Sequence, residues 1–179
     1  KEIQPSYHSY GNGSGMRVSA AGFMAKSIEE CIDLATKTAL PTHDHSEGIK
    51  GAVATALAIF YGMQGKDKDF IRKQVLDEYY PNWSGLTYEG IKPGYGFDET
   101  CQQTIPAALI CFLESKDYED CLKLAIALGG DADTLAAISG PMAYAFYKTM
   151  PEELIANAKA KLPEWMLEVN EELDHYVNQ

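Results

Sequence analysis

At 179 residues the chain has the size of one medium domain, and 46% apolar with 23% charged residues, 15 Gly and 8 Pro exclude disordered, collagen-like and disulfide-scaffold classes. A formal net charge of −11, from 15 Lys and Arg against 26 Asp and Glu, repels nucleic acid and anionic lipid at long range, so neither is an expected partner. The longest apolar-leaning run, residues 52–60, falls short of the roughly 20 residues that cross a bilayer. Lys1 stands where an initiator Met would, and residues 1–5 lack the basic and apolar regions of a signal peptide. The expectation is a chain whose natural start is missing.

From Met16 onward the pattern is a series of helices separated by turn chemistry, with no sustained strand alternation, which predicts one all-α domain over residues 1–179. Ser27-Ile28-Glu29-Glu30 reads as a capping box opening a helix that Pro41 closes. The next helix, about 47–64, mixes Gly48, Gly51, Ala52, Ala54, Ala56 and Ala58 with Val53, Leu57, Ile59 and Phe60. Small residues let neighbouring helices approach closely, so this one is predicted to be central and buried. Further helices are predicted over 67–80, about 100–114, 117–128, 134–147, 151–161 and 164–177. Pro106 marks a kink or a helix start, and Thr149 with Glu152 suggests a second capping box. Residues 80–97, rich in Gly, Pro, Asn and Tyr, form the one long irregular stretch, a length at which loops are often functional. Residues 151–179 carry seven acidic side chains against Lys159 and Lys161, the composition of a solvated helix face. Cys31, Cys101, Cys111 and Cys121 form no C-x-x-C pair and read as small buried hydrophobes, which suits a reducing, cytoplasmic-type compartment.

Three segments carry chemistry. Ser9-Tyr10-Gly11-Asn12-Gly13-Ser14-Gly15-Met16-Arg17 places glycines, hydroxyls and an amide ahead of a helix-like run. Such a turn can aim backbone N–H groups at an anion, with Arg17 available to a phosphate or a carboxylate, although glycine turns with no ligand share this composition. Thr42-His43-Asp44-His45-Ser46-Glu47-Gly48 is a polar junction between two apolar helices. Its histidines and carboxylates suit either metal binding or helix capping by Ser46 or Asp44, and the i, i+2 histidine spacing suits a loop. Gly129-Gly130-Asp131-Ala132-Asp133-Thr134 ends one helix with two glycines and supplies three oxygen side chains before the next. Clustered carboxylate and hydroxyl oxygens are what Mg²⁺ takes, whereas one helix cap needs only one of them.

In this order the three segments resemble the ADP-ribosylglycohydrolase family: Ser9 to Ser14 with Met16-Arg17, Thr42-His43 ahead of Gly48 and Gly51, and Gly129 to Thr134. The resemblance implies a compact multi-helix fold with a two-metal Mg²⁺ centre, for which Mn²⁺ could substitute. The activity it implies is hydrolysis of the bond between ADP-ribose and a modified protein side chain or small acceptor. Carried over by position, Asp131, Asp133 and Thr134 are the metal ligands, and Asp131 and Asp133 the catalytic carboxylates. Ser9, Tyr10, Gly11, Asn12 and Gly13 are the loop holding the diphosphate and adjoining ribose, and His43 lies beside the distal ribose. Tyr95 or Phe97, from the irregular stretch, is a candidate for stacking on adenine.

The family also carries, ahead of the Ser-Tyr-Gly-Asn-Gly segment, a helix with a Glu and a Thr-Asp-Asp metal motif, and neither is present in this chain. The resemblance therefore implies that half of the metal ligands lie in an upstream segment or a separate N-terminal fragment. The alternative is a catalytically inactive ADP-ribose-binding module or a structural pseudoenzyme.

Overall fold

The computed structural model describes residues 5–177. The reading of Lys1 as an internal start falls outside that range. Among the described residues eleven α-helices follow in chain order: α1 Gly13–Met16, α2 Ser19–Met24, α3 Ile28–Ala39, α4 Ser46–Met63, α5 Lys68–Ile71, α6 Tyr88–Ile91, α7 Cys101–Glu114, α8 Tyr118–Leu128, α9 Ala132–Tyr147, α10 Glu152–Lys159 and α11 Glu164–Val177. A π-helical run, Arg72–Asp77, continues α5, and turns of 3₁₀ helix at Pro81–Trp83 and Lys92–Gly94 flank α6. The domain is all-α, and among the described residues the β contribution is a single antiparallel bridge between Gly11 and Thr100.

Local chemistry explains most helix starts. Ser27 Oγ accepts from the Glu30 N–H at 3.1 Å, while the Glu30 carboxylate reaches back to the Lys26 N–H at 2.7 Å, so the reciprocal bond lands one residue before the cap. Asp117 caps α8 through the Asp120 N–H, and Thr87 caps α6 through the Gly90 N–H. Two expectations fail. Helix α4 is capped by neither Ser46 nor Asp44 but by His45, whose Nδ1 accepts from the Glu47 N–H at 3.1 Å. Helix α10 starts after Pro151 with no side-chain cap, so Thr149 and Glu152 form no capping box. Pro151 itself occupies the N-cap position, which leaves Thr149 two residues before the helix boundary.

Helix α4 is the central element: every residue from Gly51 to Gly62 is buried, and α2, α3, α7 and α9 pack around it. Gly51 shows why the small residues are there, since a Cβ at that position would collide with Cys101 Sγ of α7. Pro106 does not start α7; it is a buried interior residue, sixth in the helix. All four cysteines are free and buried. The predicted irregular stretch is instead a string of short helical turns, tied to α7 by the Tyr88 N–H on Glu114 Oε1 at 2.9 Å. Helices α10 and α11 bury no residue, so the acidic C-terminal face is solvated as expected, and Trp165 is 60% exposed. Among the described residues no helix is long and apolar enough to cross a membrane.

Candidate functional site

The glycine segment is pinned on both sides. The Ser9 N–H donates to Thr42 O at 3.2 Å, the Asn12 N–H to Glu99 O at 2.7 Å, and the Cys101 N–H to Tyr10 O at 2.9 Å. The Gly11 N–H closes a short turn on Ser9 Oγ at 3.1 Å, and Cys101 Sγ donates to Gly11 O at 3.0 Å. The Gly11 and Asn12 amides are therefore spent within the protein, which narrows the backbone anion cradle expected of this loop. Tyr10 is 49% exposed and lies 5.2 Å from the ring of His45.

His43 is buried, with Nε2 against Gly13, where a Cβ would stand 3.2 Å from it. Its Nδ1 lies 2.7 Å from the Thr42 hydroxyl, and Arg17 Nη2 donates to that same hydroxyl oxygen at 2.7 Å. Arg17 Nη2 also lies 3.4 Å from Nδ1, and a guanidinium can only donate, which favours Nδ1 as the acceptor and Nε2 as the protonated nitrogen. Burial, then the Arg17 guanidinium, push the His43 pKa below its ordinary value, so the ring is neutral. Arg17 is anchored in turn on Thr38 O, at 3.1 Å from Nη2 and 3.3 Å from Nε, at the C-terminal end of α3. It is thus committed to a helix end and to Thr42 and, among the described residues, pairs with no carboxylate. The other polar groups of this junction also have private partners: Asp44 accepts from Ser6 at 2.5 Å and meets His8 Nδ1 at 3.0 Å, and Glu47 pairs with Lys50 at 2.6 Å. The junction is a packed set of caps and ion pairs rather than a metal cluster.

The Gly129-Gly130 turn places Asp131 at the mouth of α9. Gly130 has φ +64°, and a Cβ there would stand 2.6 Å from Gly96 O and 3.0 Å from the Tyr95 ring, so only glycine fits. Tyr95 thereby supports the aspartate turn with its hydroxyl buried, while Phe97 is 69% exposed. Asp131 holds the N-cap position of α9, yet its side chain makes no capping bond. Its Oδ2 instead accepts from Asn12 Nδ2 at 2.8 Å, joining segments 119 positions apart. Asp133 is exposed and its Oδ1 accepts from the Thr134 N–H at 3.0 Å. Thr134 is buried, its hydroxyl 3.8 Å from Met16 Sδ.

The fold therefore brings the first segment against the other two, through Asn12 on Asp131 and through Gly11 and Gly13 on His43. Asp131, Asp133 and Thr134 are hard oxygen donors of the kind Mg²⁺ or Mn²⁺ takes. Among the described residues no group of three or more His, Cys, Asp or Glu comes together to hold a metal. The three donors fit one side of such a site and fall short of the roughly six oxygens a complete shell needs. Among the described residues neither aspartate has a Lys or Arg partner. Sequence reasoning missed Thr104 and Asp98, which complete the contacts around Asn12. Neither lies in a motif, and their only signal was proximity to the start of a predicted helix.

A family model described as ADP-ribosylglycohydrolase matches residues 1–179. ADP-ribosylhydrolase ARH3 of Homo sapiens is 28% identical over 183 aligned positions, covering 78% of this chain and 50% of that protein. An uncharacterized protein of Archaeoglobus fulgidus is 27% identical over 164 positions, covering 82% and 53%. A solved structure described as an ADP-ribosylglycohydrolase-related protein complex superposes with a TM-score of 0.70 at 23% identity, covering 97% of this chain and 60% of that one, which shows a common fold. The chain thus spans about half the length of the curated relatives it matches.

Proposed function

The chain belongs to the ADP-ribosylglycohydrolase family, and from that premise we propose that it carries the ADP-ribose-binding loop and one side of the metal centre of a hydrolase. That hydrolase releases ADP-ribose from a modified protein side chain or a small acceptor. The observation that carries this reading is the behaviour of Asp131: a carboxylate at a helix N-cap that does not cap, held by Asn12 and, among the described residues, without a basic partner. Structural aspartates at that position ordinarily bond the helix N–H groups.

In this reading Asp131, Asp133 and Thr134 would hold Mg²⁺ or Mn²⁺, with the remaining oxygens from water, substrate and an upstream segment or separate fragment. A bound divalent ion supplies charge stabilisation and a positioned water for cleavage of the glycosidic bond. This chain's own residues do the rest. Asn12 keeps Asp131 in one orientation. Neutral His43 and the Gly11–Gly13 backbone shape the wall for a ribose, and its protonated Nε2 can donate but not accept. Asp131 or Asp133 is placed to take a proton from a water as it attacks an oxocarbenium-like centre. Of the two candidate aromatics, Phe97 is the one with a ring free to stack on adenine, Tyr95 being engaged beneath Gly130. The four free, buried cysteines suit the reducing cytoplasm.

A second reading, an ADP-ribose-binding module without turnover, is favoured by the short donor set. Calorimetric titration of ADP-ribose with and without Mg²⁺, together with release of ADP-ribose from an ADP-ribosylated protein, separates the readings. Mg²⁺-dependent release supports the hydrolase, and binding without release supports the module. No binding at millimolar ADP-ribose overturns both.

A further inference from the structure

Thr104 belongs to no motif, yet its side chain is fully buried in the first turn of α7 and completes a chain of hydrogen bonds that ends on Asp131. Each link has only one possible direction. The Asp98 carbonyl oxygen can only accept, so the Thr104 hydroxyl, 3.0 Å away, donates its proton there. Thr104 Oγ1 then has lone pairs alone to offer, and the Asn12 NH₂ meets it at 3.2 Å. The other hydrogen of that NH₂ reaches Asp131 Oδ2 at 2.8 Å. A flipped Asn12 amide would set its oxygen against a carboxylate and against a hydroxyl with no proton left to give. The whole relay is therefore oriented by one backbone carbonyl.

We infer that Thr104 is a positioning residue: through Asn12 it holds Asp131 with Oδ2 engaged and Oδ1 left for the bound cation. This rests on the reading of Asp131 as a cation-facing carboxylate. A role in packing alone predicts a loss of stability and no selective change at Asn12.

The test compares the chain with Thr104→Val, which keeps the shape and removes the hydroxyl, and with Thr104→Ser, which keeps the hydroxyl. Two readouts are taken: exchange protection of the Asn12 side-chain NH₂ by NMR in metal-free protein, and Mn²⁺ affinity by electron paramagnetic resonance titration. The expected result is loss of Asn12 protection and roughly tenfold weaker Mn²⁺ binding in Thr104→Val, with both within about twofold of the unmodified chain in Thr104→Ser. Thr104→Ala repeats the test should Thr104→Val not fold. Wild-type Asn12 protection in the variant lacking the hydroxyl overturns the inference, as does lost protection with unchanged Mn²⁺ affinity. Mn²⁺ binding that Asp131→Ala leaves untouched overturns the cation reading itself, a result separable from the metal-free Asn12 measurement.

Discussion

Helices α7 and α9 carry a polar network at each of their two ends, and the two networks are built to opposite purposes. At the C-terminal ends, Lys68 Nζ donates to Ser115 O at 2.5 Å and to Tyr147 Oη at 2.7 Å. Tyr147 donates to Ser115 O at 2.6 Å, and the Ser115 hydroxyl to Phe112 O at 2.7 Å. The rings of Phe112, Phe146 and Tyr147 surround the same ammonium at 5.5, 5.4 and 5.1 Å. A cation thus sits where helix carbonyls leave negative charge and aromatic faces add to it, with two oxygen acceptors and three rings around it. At the N-terminal ends, the relay from Asp98 through Thr104 and Asn12 terminates on Asp131, with Asp133 two positions on and, among the described residues, no basic side chain paired with either. The clasp is closed by the chain's own lysine; in the proposed reading the cation at the other end would come from outside. Buried polarity alone does not mark function. What distinguishes the two here is the sign: a lysine enclosed by carbonyl, hydroxyl and aromatic groups at one end, and carboxylates that no basic side chain among the described residues meets at the other.

That contrast can be broken by substitution at either end. The largest effect belongs to the open end: Asp131→Ala or Asp133→Ala should lower Mg²⁺-dependent release of ADP-ribose roughly 100-fold or more while circular dichroism stays helical. Unchanged turnover in either variant would remove that carboxylate from the mechanism. At the closed end, Lys68→Met should cost roughly 2 kcal/mol, because carbonyl and hydroxyl acceptors lose a charged donor. For a chain of this size that lowers Tm by about 4–8 °C, readable by calorimetry, with ADP-ribose affinity unchanged. A Lys68→Met protein with normal Tm but impaired binding would erase the distinction between the ends.

The smallest effect is a pH dependence confined to the site end. His43 is held below its ordinary pKa of 6.5 by burial and by Arg17. As pH falls below 6.5 the unfolded chain takes up this proton while the folded chain does not, so stability drops between 6.5 and the lower folded value and is unaffected above 6.5. Denaturant unfolding at pH 7.5 and 5.5 should therefore show a steeper loss for the native chain than for His43→Gln. Equal losses would mean that His43 is free to charge in the fold.

Much of the framework was readable because its signals are local. Helix periodicity, the Ser27 cap and the small-residue pattern of α4 act within a few positions, and the structure places those elements where they were expected. Where local chemistry offered several equivalent cap acceptors, the reading failed. Asp44 was drawn to Ser6 and His8, which left His45 to cap α4, and Pro151 opened α10 without Thr149. Arg17 offers the same lesson, since a guanidinium read as available for a ligand is anchored on Thr38 and Thr42.

The sequence by itself determined that the chain is helical, that α4 lies at its centre, and that three polar segments interrupt an otherwise apolar succession. Only the tertiary structure decided that Asn12 serves Asp131 across 119 positions, that Thr104 directs Asn12, and that Lys68 seals the far end of the same helices. Residue types and spacing specify what a backbone does within a turn or two. Which donor finds which acceptor depends on distances of about 3 Å that exist only after the helices have packed.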